Sequence, residues 1–259
     1  MAQLLRKIKR AILNYDPSFC DMHDDEHARA AAEEYLAHIR RHLRERFGDQ
    51  TVSILDAGCQ AGRLLIPLAQ DGHHLIGVDT SGFALRRARQ HAQERRLSVR
   101  LHTGGIAKLR RWVRPSSLDA VICTEVLYLC ADYHNLLQLL AESVKPGGLL
   151  FISHRPTVFY VASALRQGRA DQAASVLRRT EGPSPDGEYH NWQTQEQLAE
   201  LYRSLNLTLL GCYPVDHARV PLDLSTVTEA EVKRLLEPAY ESDSTFRIPA
   251  YLLVVAQKG

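Results

Sequence analysis

A chain of 259 residues that is 45% apolar is long enough for one α/β domain with a sizeable core and room for insertions. About a quarter of the residues are charged, yet the net charge is only +2, which does not single out a polyanionic partner. The longest apolar run, residues 250–256, is far too short to span a bilayer, so no membrane span is expected.

Residues 1–50 read as mostly helical. Leu4, Leu5, Ile8 and Ile12 share one face of the start, with Arg6, Lys7, Lys9 and Arg10 opposite. That pattern reads as a lid helix lying on the domain, with membrane contact as the alternative. Cys20, His23 and His27 are ligand types, and the two histidines would share a helix face. No second cluster completes a tetrahedral site, so no metal is expected. From residue 51 two periods alternate. Residues 52–55, 75–78, 98–101, 118–124 and 149–153 read as strands. Helices fall between them over residues 63–70, 81–95 and 132–144, with Ser81 as an N-cap. Strand and helix alternating at this spacing mean βαβ units, a parallel sheet and right-handed crossovers. Residues 155–190 carry two helix-like pieces and a turn-rich stretch at 182–187. Thr194 with Gln197, and Thr228 with Glu231, have the spacing of capping boxes. Residues 207–213 and 250–257 read as closing strands.

The five cysteines are scattered and form no CxxC pair, which implies reduced thiols. The basic start continues into no long apolar stretch, so a cytoplasmic protein is expected. Arginines cluster near residues 6–10, 40–46 and 86–96. Apolar residues between the charges favour solvated helix faces over contact with nucleic acid or lipid.

Asp56, Gly58, Gln60 and Gly62 lie at the carboxyl end of the first strand, where open parallel sheets bind ligands. Gly58 lets a ligand approach the backbone, and Gly62 lets the next helix begin close to it. Asp79 ends the second strand 17 residues after Gly62. A carboxylate there can accept from both hydroxyls of a ribose. No GxxxxGK[ST] loop occurs and the glycine spacing is not GxGxxG, so an adenosine ligand without a pyrophosphate fits best.

Four segments in order carry a family resemblance: residues 52–62, 75–79, 118–127 and 144–152. They resemble the motifs of class I S-adenosylmethionine-dependent methyltransferases. The match runs over residues 51–154 and recurs more loosely at the closing strands. It implies a doubly wound, Rossmann-like sheet of seven mostly parallel strands, the last one reversed, with helices on both faces and a helical lid. It divides the chain into a lid (1–50), a cofactor-binding half (51–154), an insertion over the acceptor site (155–190) and the remainder of the domain (191–259). It implies S-adenosyl-L-methionine as cofactor. Asp56 and the turn to Gly62 would hold the methionyl end, Asp79 with Thr80 the ribose, and Glu125 would line the methionyl end. Two positions depart from the pattern. Gln60 replaces the middle glycine. Gly105 stands where an acidic residue usually holds adenine, leaving that base to backbone groups near Ile106.

Methyl transfer mainly requires positioning and exclusion of water, worth roughly 7–11 kcal/mol. An oxygen or nitrogen nucleophile also calls for a general base. His154, just past the fifth strand, is the candidate base, followed by Arg155; a turn histidine without chemistry is the alternative. Tyr15, Tyr128, Tyr189 and His190 are candidate acceptor contacts, with packing as their alternative role. The expected acceptor is an oxygen, nitrogen or sulfur nucleophile of a small molecule. An RNA nucleoside, or cofactor binding without turnover, are the other readings.

Overall fold

The computed structural model describes residues 21, 25–183, 188–225 and 227–259. The expectations for Tyr15, for the amphipathic start, for Cys20 and His23, and for residues 184–187 of the turn-rich stretch lie outside the described residues. Helix α1 (Glu26–Phe47) is capped by Asp25, whose carboxylate accepts from the Ala28 amide at 2.6 Å. Its buried Tyr35, Leu36, Ile39 and Leu43 recur at helical spacing on one face. They join Phe151, Val215 and Tyr251 in one core cluster. This part of the expected lid is therefore a structural layer packed on the sheet.

The alternation then follows: β1 (Ser53–Ala57), α2 (Leu65–Gln70), β2 (His74–Asp79), α3 (Gly82–Glu94), β3 (Val99–Thr103), β4 (Leu118–Cys123), α4 (Tyr133–Ser143) and β5 (Val144–His154). Ser81 caps α3, accepting from the Ala84 amide at 3.1 Å. Short 3-10 turns follow β3 (Ile106–Arg111) and β4 (Leu127–Leu129). After β5 come α5 (Thr157–Arg166), α6 (Ala170–Leu177) and a two-stranded ribbon of β6 (Glu181–Pro183) and β7 (Tyr189–Asn191). Next come α7 (Gln195–Ser204), β8 (Leu207–Pro221), α8 (Ala230–Leu236), β9 (Tyr240–Ser242) and β10 (Thr245–Lys258). The Thr194–Gln197 capping box forms in full. The expected box at Thr228 does not, because the cap of α8 is Glu229, which makes no side-chain cap bond.

The main sheet runs β3-β2-β1-β4-β5-β10-β8, with β9 paired to β10. The first five strands in this order are parallel and β10 is antiparallel to both neighbours. It has eight strands, one more than expected, the addition being the three-residue β9. Both faces are covered, which explains the continuous apolar runs. On one face Leu55, Val121, Leu150 and Ile152 meet Leu137 and Leu140 of α4 and Leu198 and Tyr202 of α7. On the other, Ile54, Ile122 and Phe151 meet α1 and α2. The closing strands are much longer than 207–213 and 250–257. Residues 245–251 of β10 lie beyond the pairing with β5, where they pair with β8 and, at Thr245 and Phe246, with β9. This ribbon carries a third cluster, in which Val220, Phe246 and Ile248 meet Tyr160 and Val161 of α5, Trp192, and Val232 and Leu236 of α8.

Candidate cofactor and acceptor site

The turn after β1 places three alternate residues in the left-handed region: Gly58 (φ 90°), Gln60 (φ 45°) and Gly62 (φ 92°). Gly58 is required twice over. A Cβ there would sit 2.3 Å from Val126 Cγ2, so its missing side chain admits the segment after β4. Gln60 adopts the conformation that glycine accepts freely, at a cost of roughly 1–2 kcal/mol. Helix α2 begins only at Leu65, later than Gly62.

Asp79 is 9% exposed at the end of β2. One carboxylate oxygen accepts from the Gln60 amide at 3.0 Å and the other from Ser81 at 2.7 Å. Burial raises its pKa, against these backbone bonds. The Thr80 amide also donates to this carboxylate, which still leaves it acceptor capacity for a further donor. Its own carbonyl accepts from the Gly104 amide at 2.8 Å, joining the ends of β2 and β3. Beside it Thr80 is exposed. A Cβ on Gly105 would meet only Thr80 Cγ2, at 3.8 Å, so the edge at Gly105 is open above the buried Ile106.

Asp56 is 3% exposed and accepts from the Leu65 amide, which fastens the start of α2. Burial carries its carboxyl up to about 7; Arg63 pulls it down and Asp79 pushes it up. Arg63 is committed to Glu125 through an ion pair of 2.5 Å with both side chains largely covered. Glu125 has φ 61°, and its amide donates to Ser153 Oγ at 2.6 Å. The carboxylate expected to line the methionyl end thus arrives already paired.

On the β5 side of this pair lies an aromatic wall. The Arg155 guanidinium stands over the rings of Tyr128, Phe159 and Tyr251, at 4.8, 4.1 and 4.1 Å from their centroids. It donates to the Tyr251 hydroxyl at 2.9 Å and to the Ala250 carbonyl at 3.3 Å. His190 meets the Tyr128 ring edge-on, and its Nδ1 lies 2.8 Å from the Tyr160 hydroxyl. Burial, then Glu125, pushes the Tyr251 phenol far above its ordinary pKa. Tyr189 points the other way, as successive strand residues do, and donates to Glu181 at 2.7 Å. It is not part of this wall.

His154 has to be corrected. It is fully buried, with Nε2 2.8 Å from the hydroxyl of Tyr202, itself fully buried in α7. Burial lowers its pKa to about 4. The imidazole continues the face of β5 that carries Leu150 and Ile152 into the core and has no exposed surface. It is a packed core histidine.

Sequence reasoning missed Arg63, Tyr35, Ser153, Asn191 and Tyr251. Asn191, fully buried, donates to the Leu127 and Cys130 carbonyls at 2.9 and 3.2 Å and ties β7 to the segment after β4. A cleft of about 580 Å³, lined by Leu222, Leu224, Lys233, Arg234, Tyr240 and Phe246 among others, lies over the third cluster and shares no residue with the glycine turn. Among the described residues no group of three or more His, Cys, Asp or Glu is placed to hold a metal, and His27 is 3.0 Å from Asp216. No described helix is long and apolar enough to cross a membrane. The described cysteines are free thiols.

A family model for a methyltransferase domain matches residues 25–211. The ubiquinone biosynthesis O-methyltransferase of Idiomarina loihiensis is 33% identical over 118 residues, 46% of this chain and 47% of the relative. That of Chelativorans sp. is 31% identical over 126 residues, 46% and 49% of the two chains. The chain spans about half the length of these curated relatives. Two solved structures share the fold. An S-adenosylmethionine-dependent methyltransferase from Mesorhizobium loti has a TM-score of 0.57 at 18% identity, over 84% of this chain and 96% of its own. The magnesium protoporphyrin IX methyltransferase of Synechocystis PCC 6803, solved with bound SAH, has a TM-score of 0.57 at 16% identity, over 88% and 84%.

Proposed function

We propose, for a chain that belongs to the class I S-adenosylmethionine-dependent methyltransferase family, that it transfers a methyl group to an oxygen of a small-molecule acceptor. The observation that carries this reading is the placement of Asp79. Its carboxylate is fixed by the backbone amides of Gln60, Thr80 and Ser81, keeps acceptor capacity for a ribose hydroxyl, and stands next to the open edge at Gly105. A ribose and a purine fit that pair of features. S-adenosyl-L-methionine, when bound, supplies an electrophilic methyl group.

The chain's own residues would then divide as follows. Asp79 and Thr80 hold the ribose, and Gly105 and Ile106 border the adenine. Asp56, Gly58, Gln60 and Gly62 shape the methionyl end, with Glu125 oriented there by Arg63. Tyr128, Arg155 and His190 form the acceptor wall and exclude water. Charge supports a small acceptor over RNA. Arg40 pairs with Asp71, Arg87 with Asp21 and Arg95 with Glu94, so part of the two described arginine clusters is already neutralised. The relatives' names support oxygen as the nucleophile. The deciding experiment is transfer of labelled methyl from S-adenosyl-L-methionine to a panel of hydroxylated small molecules. Cofactor-dependent label in at least one phenol or catechol is expected. Label only in RNA, or binding of cofactor with no transfer to any pool, would overturn the proposal.

A further inference from the structure

The acceptor wall holds a cation with no anion. Arg63 has Glu125, but among the described residues no carboxylate forms an ion pair with Arg155. Its contacts are one carbonyl, the hydroxyls of Tyr251 and Tyr128, and three ring faces. Its Nε–H is buried and has no partner at all. A guanidinium taken out of water in this way is costly unless its donors are used. Nε–H with the adjacent terminal N–H is the edge that meets both oxygens of a carboxylate. The three rings fix the guanidinium plane, so little freedom is lost when a ligand docks. Tyr251, which accepts from Arg155, lies within electrostatic reach of Glu125, so the wall adjoins the carboxylate assigned to the methionyl end.

We infer that Arg155 selects an acceptor bearing a carboxylate, held bidentately while the flat body of the molecule lies against the aromatic wall. This rests on the methyltransferase reading and adds the substrate class. Two features oppose a purely structural role: the orphaned Nε–H and the absence of a described counter-ion.

The test uses matched probes on the full chain saturated with S-adenosylhomocysteine: 3,4-dihydroxyphenylacetate against 3,4-dihydroxyphenylethanol, and further aryl acids each beside its alcohol. Wild type is expected to bind the acid about tenfold or more tightly than the alcohol in at least one pair, as two charge-assisted bonds imply. Arg155→Met should erase that preference, so that acid and alcohol bind this variant about equally, while S-adenosylhomocysteine, which Arg155 does not contact in this reading, binds within about threefold of wild type. Arg155→Lys should keep only part of it, since an ammonium lacks the fork. Absence of acid preference in every wild-type pair, including failure to bind either member, overturns the inference without any variant. So does a preference that survives in Arg155→Met, or a variant that loses S-adenosylhomocysteine instead. Methylation of the neutral alcohols with no acid preference would leave the methyltransferase reading standing. Failure of the wild type to bind S-adenosylhomocysteine would remove both.

Discussion

Asp56 offers the sharpest quantitative prediction. Its carboxyl sits under the glycine turn, and burial raises it from 3.8 to about 7 despite the nearby Arg63. The folded chain therefore holds this proton more tightly than the unfolded chain does. The associated stability is complete below the unfolded value and is lost as pH rises through the folded value, a window from about pH 4 to about pH 7. At about 1.4 kcal/mol per pKa unit, the loss across the window is roughly 4 kcal/mol. Asp56→Asn keeps the shape and a carbonyl oxygen to accept from Leu65, but removes the titration. Urea unfolding of both proteins at intervals across this window isolates the effect, because other groups cancel in the difference. The stability of Asp56→Asn relative to wild type should climb by roughly 4 kcal/mol from the acid to the neutral end. A difference that stays flat would show that the carboxyl titrates normally, and the buried position of Asp56 would be wrong.

Other substitutions test the turn and the corrected histidine. Gly58→Ala should destabilise by about 1–3 kcal/mol through overpacking against Val126, with part of the loss recovered when Val126→Ala is added; chemical denaturation of the single and double variants reads this. Gln60→Gly should raise the melting temperature slightly, relieving roughly 1 kcal/mol of left-handed strain, and leave cofactor affinity within a few-fold. Calorimetric loss of all binding would show instead that the Gln60 side chain is a ligand. His154→Gln should cost about 1–3 kcal/mol by disturbing the buried Tyr202 hydroxyl, with methyl transfer per folded molecule little changed. A turnover loss of roughly 10²-fold in a stably folded variant would return the imidazole to chemistry.

Much of the cofactor half was legible because its signals are local. Apolar runs separated by helical periods mark β1 to β5, and the Thr194–Gln197 box and the Ser81 cap lie where their spacing puts them. The closing strands were underestimated for a physical reason. Pro214, Pro221 and Pro249, with charges between, argue against strand, yet β8 is an edge strand and the ribbon pairs away from the parallel sheet, where proline is tolerated. His154 was misplaced as a turn residue although the two-residue period of Leu150 and Ile152 continues through it into the core. The Arg63–Glu125 pair joins residues 62 apart, and the Arg155 wall gathers rings from three separate segments. No local pattern encodes either one.

The central claim is that Asp79 and the open edge at Gly105 receive the nucleoside of the cofactor. Calorimetric titration with S-adenosylhomocysteine tests it most directly. Wild type should bind one equivalent. Asp79→Asn, which keeps one oxygen for a backbone amide, should bind about tenfold or more weakly, since a bond to a charged acceptor is worth about 1.5–3 kcal/mol. An unchanged dissociation constant in the folded variant, or no binding by the wild type, would contradict the account.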